Sequence, residues 1–121
     1  MTQKMSDKFI VENCKISNTH LGYHPDYGIL TFMINVEGEG WGQGFGNYAL
    51  DSYDEESRER RPESNLTGRV VTGLLSSLGV NKWEDLKGQY CRIGKSEPHG
   101  PIKAIGHITK EKWFEIESLQ R

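Results

Sequence analysis

The chain has 121 residues, the size of one ordinary domain, and its 26% charged and 35% hydrophobic residues argue against disorder. A net charge of −2 and a pI of about 6.1 exclude the strongly basic composition that is typical of nucleic-acid-binding domains. The charge is uneven, since residues 1–63 carry a net −5 and residues 64–121 a net +3. We expect a flexible polar tail at residues 1–8 and a single α+β domain at residues 9–121.

The cysteine content and the hydropathy pattern indicate in which cellular compartment the protein is located. Cys14 and Cys91 lie in apolar-alternating segments, and two unpaired thiols fit a reducing cytosol better than a secreted disulfide scaffold. The polar N-terminal residues lack the apolar stretch of a signal peptide. No apolar run approaches the roughly 20 residues that a helix needs to span a bilayer. These features predict a cytoplasmic protein that has no membrane partner.

The first part of the chain shows strand patterns that are separated by turn residues. Residues 9–16 mix apolar and polar side chains in a strand-like way, and residues 17–26 are rich in turn-forming Asn, Gly, Pro and Asp. Residues 28–36 predict a second strand, with apolar side chains on both of its faces. Such a strand is typical of the centre of a sheet.

Glycine occupies every second position from Gly38 to Gly46. In a strand, this period places the glycines on one face and Trp41 and Phe45 on the other, and Tyr48 follows. The series lacks the Lys-Ser/Thr of a P-loop and the G-x-G-x-x-G of a dinucleotide site, so a phosphate-binding loop of an enzyme is disfavoured. Two interpretations stay open. One is a glycine strand needed for tight packing, and the other is a binding platform built on Trp41, Phe45 and Tyr48.

The second part of the chain contains the clearest helix signal. Residues 51–63 are mostly charged and predict a solvated loop or a frayed helix start. An apolar stripe of 3.6-residue period then predicts one main amphipathic helix over residues 66–78. Residues 89–93 and 102–108 predict two more strands, and a short C-terminal helix is expected around Trp113. This order predicts an α+β fold with a mostly antiparallel sheet.

Candidate catalytic and metal-ligating residues do not form a known set. His20 and His24 have the spacing of a helical zinc site, but Pro25 argues against a helix, and no third ligand is obvious. Cys91 and His107 both lie in strand-like runs, where a buried structural thiol is the commoner case. We therefore expect a protein that is not an enzyme, with no catalytic residue, metal or cofactor.

Four segments, taken together and in this order, resemble a family of small uncharacterised bacteriophage and prophage proteins. They read LGYHPDYGILT at residues 21–31, GQGFGNYALD at 42–51, LGVNKWEDLKG at 78–88, and AIGHI with KWF at 104–108 and 112–114. The resemblance implies a phage origin and location in the cytoplasm of a bacterial host. Small accessory phage proteins commonly act by binding, and some block host defence proteins.

The resemblance, combined with the missing catalytic set, predicts a non-catalytic phage accessory protein that acts by stoichiometric binding. Its expected role is counter-defence, for example anti-CRISPR-like inhibition of a host defence protein. The expected partner is a host protein, such as a component of a defence system. The charged segment would supply the contacts, from Glu55, Glu56, Arg58, Arg60 and Arg61.

Two alternatives stay open beside this hypothesis. In the first, the protein sequesters a small nucleotide, whose base stacks on Trp41, Phe45 and Tyr48 and whose phosphate meets Arg60 or Arg61. In the second, aromatic side chains on the sheet and nearby cations bind single-stranded nucleic acid, a partner that the acidic first half disfavours. A homo-oligomer is compatible with each of these hypotheses.

Overall fold

A computed structural model describes residues 5–26, 28–54, 56–62 and 64–119 of the chain. For residues 6, 51–54, 59–62, 64–65 and 118–119, the description is confined to the backbone.

Eight strands, two α-helices and two 3-10 turns make up this part of the chain. In chain order they are α1 (Met5–Lys8), β1 (Ile10–Tyr23), β2 (Leu30–Gly38), β3 (Trp41–Ala49), β4 (Asp51–Asp54), β5 (Glu59–Pro62), α2 (Ser64–Leu78), a 3-10 turn (Trp83–Asp85), β6 (Tyr90–Lys95), β7 (Ile102–His107), β8 (Trp113–Glu115) and a second 3-10 turn (Ile116–Leu119).

Six strands form one antiparallel sheet in the order β3-β2-β1-β6-β7-β8, and β4 and β5 form a separate hairpin. The long strand β1 serves two neighbours, because its first part pairs with β6 and its second part pairs with β2. The register shifts between Ile16 and Asn18, where one extra residue forms a bulge. Bulges bend a strand and increase its twist, so β1 can belong to two differently oriented parts of the sheet.

The sheet curls until its first strand meets its last strands. The Gln43 amide on β3 donates to the Gly100 carbonyl in the β6–β7 loop at 3.0 Å. Further along β3, the rings of Phe45 and Phe114 meet edge to face, with centroids 6.2 Å apart. The ring contact joins β3 and β8, which are the two edges of the strand order, and the hydrogen bond joins β3 to the β6–β7 loop. The sheet therefore has an inner, concave face and an outer face.

Helix α2 covers one end of this curled sheet. Its apolar stripe is buried, as the 3.6-residue period predicts, and consists of Leu66, Val70, Leu74 and Leu78. The helix packs on β7 and β8, and Gly73 lets it approach the ring of Phe114 closely. Gly79, at φ 72°, ends the helix in the left-handed conformation that favours glycine. The helix and the inner face of the sheet together enclose the hydrophobic core.

The fold class is confirmed in its broad form, as an antiparallel sheet with one main helix. The prediction of a short C-terminal helix is wrong for residues 113–115, which form β8, and residues 116–119 make only a 3-10 turn. The physical reason is the pairing with β7, which buries Phe114 and lays the indole of Trp113 over Gly106.

Two local predictions, for residues 17–26 and 51–63, also need correction. The turn predicted over residues 17–26 is shorter, since β1 continues to Tyr23 through its pairing with β2. The predicted loop or helix start at residues 51–63 contains the β4–β5 hairpin instead. Residues 5–8 form α1, and Lys8 makes a salt bridge of 3.2 Å to Glu115.

Candidate binding site at the open end of the sheet

The end of the curled sheet opposite α2 carries a polar groove. Helix α2 lies where β3 and β7 end, since Thr67 donates to the Leu50 carbonyl, and Gly79, which directly follows the helix, lies beside the ring of His107. At the other end, β1 and β3 begin and β6 finishes. There a groove of about 370 Å³, which we call the open-end groove, is lined by Glu12, Trp41, Gly42, Gln43, Lys95, Pro98 and His99.

Strand pairing explains why polar side chains point inward at this end. Directly opposite residues of an antiparallel pair place their side chains on the same face of the sheet. Glu12 is opposite Ile93, and Gln43 is opposite Val36, and both of these apolar partners are buried in the core. The same inner face is therefore apolar in the middle of the sheet and polar at its open end.

Lys95 is the central charge of the open-end groove. Only 7% of this residue is exposed, and among the residues whose side chains are described it is the only charged one that is buried. Its ammonium group lies 5.1 Å from the centroid of the Trp41 ring and 3.9 Å from the Glu12 carboxylate. Burying a charge is costly unless it is paired, and here a ring face and one carboxylate share that role.

Trp41 is held in place by a tight turn between β2 and β3. A Cβ atom at Gly38 would overlap the indole of Trp41, so only glycine fits at that position. Gly40, at φ 77°, allows the turn itself. One part of the indole packs against the core, and the ring also faces Lys95 in the groove. On the far side of the groove, the bond from Gln43 fixes the β6–β7 loop, which carries His99.

These groups together suit an aromatic ligand that carries negative charge. The indole offers a ring for stacking, the Lys95 ammonium offers charged donors, and His99 at the rim offers a further polar group. The Glu12 carboxylate, in the same groove, would repel an anionic ligand. A bound anion would therefore have to take over the pairing of Lys95 that Glu12 now provides.

The structure separates the three aromatic residues that the sequence suggested as one platform. Trp41 lines the open-end groove. Phe45 is only 1% exposed and packs between Phe32 and Phe114, so it belongs to the core and offers no free ring face. Tyr48 is 38% exposed and packs beside Phe32, and partial burial raises the pKa of the Tyr48 hydroxyl.

The predicted charged contact residues lie on the β4–β5 hairpin. Glu56 and Arg58 are exposed in its turn, and Arg58 has a left-handed φ of 59°. Arg60 and Arg61 are in β5, where only the backbone is described, and Glu55 lies outside the described residues. Neither Glu56 nor Arg58, whose side chains are described, lines the open-end groove.

The sequence did not predict the four polar side chains of the lining, namely Glu12, Gln43, Lys95 and His99. A signal for Lys95 was present, because Cys91, Ile93 and Lys95 alternate along β6 and must share one face. Because Cys91 and Ile93 are in the core, Lys95 must also point inward, at the end of the strand. No comparable signal marked Glu12 or His99, whose place depends on tertiary contacts.

Within the described part of the chain, no group of three metal-ligating side chains comes together. The described helices are all too short or too polar to cross a membrane. Comparisons with protein-family models, with curated proteins and with solved structures gave no match. The resemblance to phage proteins therefore stays a prediction.

Proposed function

We propose that this protein is a non-catalytic binding protein whose open-end groove holds a nucleotide. The observation that carries the proposal is the buried ammonium of Lys95 beside the ring of Trp41, in a groove that is open to solvent. The nucleobase stacks on the indole, and the phosphate pairs with Lys95. The ligand is one of the two alternatives that the sequence left open. The proposal keeps Trp41 for the base and replaces Arg60 or Arg61 by Lys95 for the phosphate.

Lys95 is only weakly paired in the free protein. Its distance of 3.9 Å from Glu12 is at the limit of a salt bridge, and Glu12 is itself 37% exposed. A phosphate provides several strong acceptor oxygens, so it would pair with the buried ammonium better than Glu12 does. Stacking of a base on an aromatic side chain contributes roughly 1–3 kcal/mol. The groove also has the size of small-ligand sites, which span roughly 300–1,000 Å³.

The arrangement of the strands is compatible with this ligand class. The order β3-β2-β1-β6-β7, with α2 inserted between β3 and β6, is similar to that of the small OB barrels. Barrels of that kind bind oligonucleotides and oligosaccharides. Because one fold hosts many functions, the proposal depends on the groove and not on this similarity.

Isothermal titration calorimetry with a panel of nucleoside mono-, di- and triphosphates, and separately with single-stranded oligonucleotides, tests the proposal. We expect saturable binding of at least one nucleotide. The substitutions Lys95→Met and Trp41→Leu should each weaken that binding at least tenfold, because each removes one of the two recognition elements. Lys87→Met, which removes an exposed lysine away from the groove, is the matched control and should bind normally.

The panel also separates the alternatives. Binding that requires an oligonucleotide and falls steeply with salt would favour single-stranded nucleic acid over a free nucleotide. Absence of heat with every nucleotide and oligonucleotide, or equal binding by the Lys95 variant and the wild type, would refute a nucleotide groove.

A protein partner is a second candidate function, and the β4–β5 hairpin is the observation that favours it. The hairpin forms its own two-stranded sheet beside the main one and presents Glu56 and Arg58 at an exposed turn. Such a hairpin could contact a host protein, which is the counter-defence role that the phage resemblance implies. This role leaves the groove free, so both functions could reside in one chain.

Affinity capture from bacterial lysate, with the wild type and with a Glu56→Lys/Arg58→Glu variant, tests the second candidate. We expect one stoichiometric partner that the wild type retains and the charge-reversed variant loses, while both proteins unfold at the same temperature. A partner retained equally by both proteins, or no stoichiometric partner, would argue against the hairpin as the contact.

A further inference from the structure

Two cysteines that are far apart in sequence meet in the core. Cys14 on β1 and Cys91 on β6 are directly opposite each other in the antiparallel pairing, 77 positions apart in the chain. Their sulfur atoms are 3.5 Å apart, and both residues are buried, at 5% and 0% exposure. Both are free thiols in this structure.

We propose that Cys14 and Cys91 form a site for a reversible disulfide between β1 and β6, closed by a small peroxide oxidant. Directly opposite residues of antiparallel strands have Cα atoms about 4.5 or 5.5 Å apart. Disulfides span Cα distances of about 4.4–6.8 Å, so the backbone already has a suitable separation. The two sulfur atoms then move from a hydrogen-bonded contact of 3.5 Å to a covalent bond.

The chemistry proceeds in two steps. The Cys14 thiolate attacks one oxygen of the peroxide, the O–O bond breaks, and Cys14 becomes a sulfenic acid as hydroxide leaves. The sulfur of Cys91 then attacks the sulfur of Cys14, the S–S bond forms, and the S–O bond breaks. The departing oxygen takes the Cys91 proton and leaves as water. The hydroxide takes up the proton that Cys14 lost when its thiolate formed. Two electrons thus pass from the two sulfurs to the peroxide, and hydrogen peroxide is reduced to two molecules of water.

The surroundings assign the first step to Cys14. It contributes to the lining of a surface groove of about 310 Å³, beside Lys15 and Tyr90, whereas Cys91 is fully buried. A small oxidant therefore reaches Cys14 first. The hydrogen bond with Cys14, followed by burial, raises the pKa of the Cys91 thiol, so Cys91 stays protonated until the sulfenic acid is beside it.

The position of the pair gives the bond a structural consequence. The β1–β6 pairing is the junction between the β3-β2-β1 part of the sheet and the β6-β7-β8 part. On the same strands, Glu12 precedes Cys14 by two residues and Lys95 follows Cys91 by four. The disulfide would thus tie the two halves of the sheet together beneath the open-end groove. A crosslink between such distant residues restricts the unfolded chain strongly.

Treatment of the reduced, full-length protein with hydrogen peroxide tests the proposal. We expect the thiols that react with Ellman's reagent in denaturant to fall from two to none. The intact mass of the single chain should fall by two hydrogen atoms, and no covalently linked dimer should form. A proteolytic digest without reductant should contain the Cys14 peptide and the Cys91 peptide joined by a disulfide bond. The urea midpoint should rise, and dithiothreitol should reverse every change.

Single variants show whether the two thiols act as a pair. In Cys91→Ser, Cys14 should stop at its sulfenic acid or proceed to higher acids. In Cys14→Ser, Cys91 should oxidise much more slowly than Cys14 does. If a variant fails to fold, the digest of the oxidised wild type still shows whether Cys14 and Cys91 form a disulfide. Two persistent thiols, independent oxidation of each to a sulfinic acid, or a disulfide between two chains would each overturn the proposal. These readouts do not involve a nucleotide, so they are independent of the proposed function.

Discussion

The two ends of the curled sheet are built from the same strands and have opposite character. At the closed end, α2 covers the inner face mainly with aliphatic side chains, and Leu74 among them is fully buried. At the open end, the same inner face presents a buried lysine, a carboxylate and an indole. The closed end stabilises the fold by burying apolar side chains, whereas at the open end the buried charge of Lys95 lowers the stability.

This difference shows where the molecule can hold a charge inside its fold. A buried charge is retained more easily at the end of a sheet, where water can reach its partner, than in the middle of a core. Lys95 illustrates the point, since its own side chain is 8% exposed while that of Glu12 is 37% exposed. Substitutions at the closed end should therefore reduce stability, and substitutions at the open end should mainly change ligand binding.

Leu74→Ala at the closed end should have the largest effect on stability. Its side chain is fully buried between α2 and the sheet, and leucine-to-alanine changes at such positions cost about 2–5 kcal/mol. Urea unfolding measures this loss. Ser76→Ala, on the exposed side of the same helix, is the matched control and should change stability by no more than about 0.5 kcal/mol. Equal effects of the two changes would mean that α2 does not close the core.

Gly46→Ala should have the next largest effect on stability. Together with a control on the same strand, it tests which glycines of β3 are needed for packing. Gly46 has φ 129°, and an added Cβ would lie 2.5 Å from the Phe32 carbonyl oxygen. Forcing a side chain into this conformation should cost about 2–3 kcal/mol.

Gly42→Ala, at the open end of the same strand, is the matched control for Gly46. Its added Cβ would meet only the Val36 carbonyl oxygen, at an ordinary 3.5 Å. Stability should therefore change little, as measured by urea unfolding of both variants. A large loss for Gly42→Ala would show that the glycine series is needed for packing along its whole length.

Much of the fold could be predicted because its signals are local. The stripe of α2 and the alternation in β6 and β7 lie within single elements, and the structure places these elements close to their predicted bounds. The full length of β1 could not be predicted, because turn-forming residues such as Asn18 and Gly22 occupy its second part. Pairing with β2 overrides their local preference.

The candidate site could be predicted only for Trp41, and the reason is physical. The open-end groove draws residues from β1, β3, β6 and the β6–β7 loop, which are brought together by the curl of the sheet. The curl depends on contacts such as that between Phe45 and Phe114, which no local pattern encodes. The glycine series correctly drew attention to β3. It could not show that Phe45 faces the core while Trp41 faces the groove.

Apart from the matched controls, Glu12→Gln at the open end should have the smallest effect on stability and the most informative effect on binding. The change leaves the buried ammonium of Lys95 without its carboxylate partner. Breaking a fully buried pair costs about 3–5 kcal/mol and an exposed pair about 0.2–1 kcal/mol, so a half-exposed pair should cost about 1–2 kcal/mol. Urea unfolding of Glu12→Gln, Lys95→Met and the double variant measures the coupling between the two side chains.

Binding should change in the opposite direction from stability. Removal of the Glu12 charge relieves its repulsion of a phosphate and leaves Lys95 free to pair with it, so nucleotide affinity should rise severalfold. The same calorimetric panel measures this rise, with Glu39→Gln, which removes an acid that does not line the groove, as the control. Weaker binding by Glu12→Gln would mean that the carboxylate contacts the ligand, and that the groove recognises a cation or a hydroxyl group in place of a phosphate.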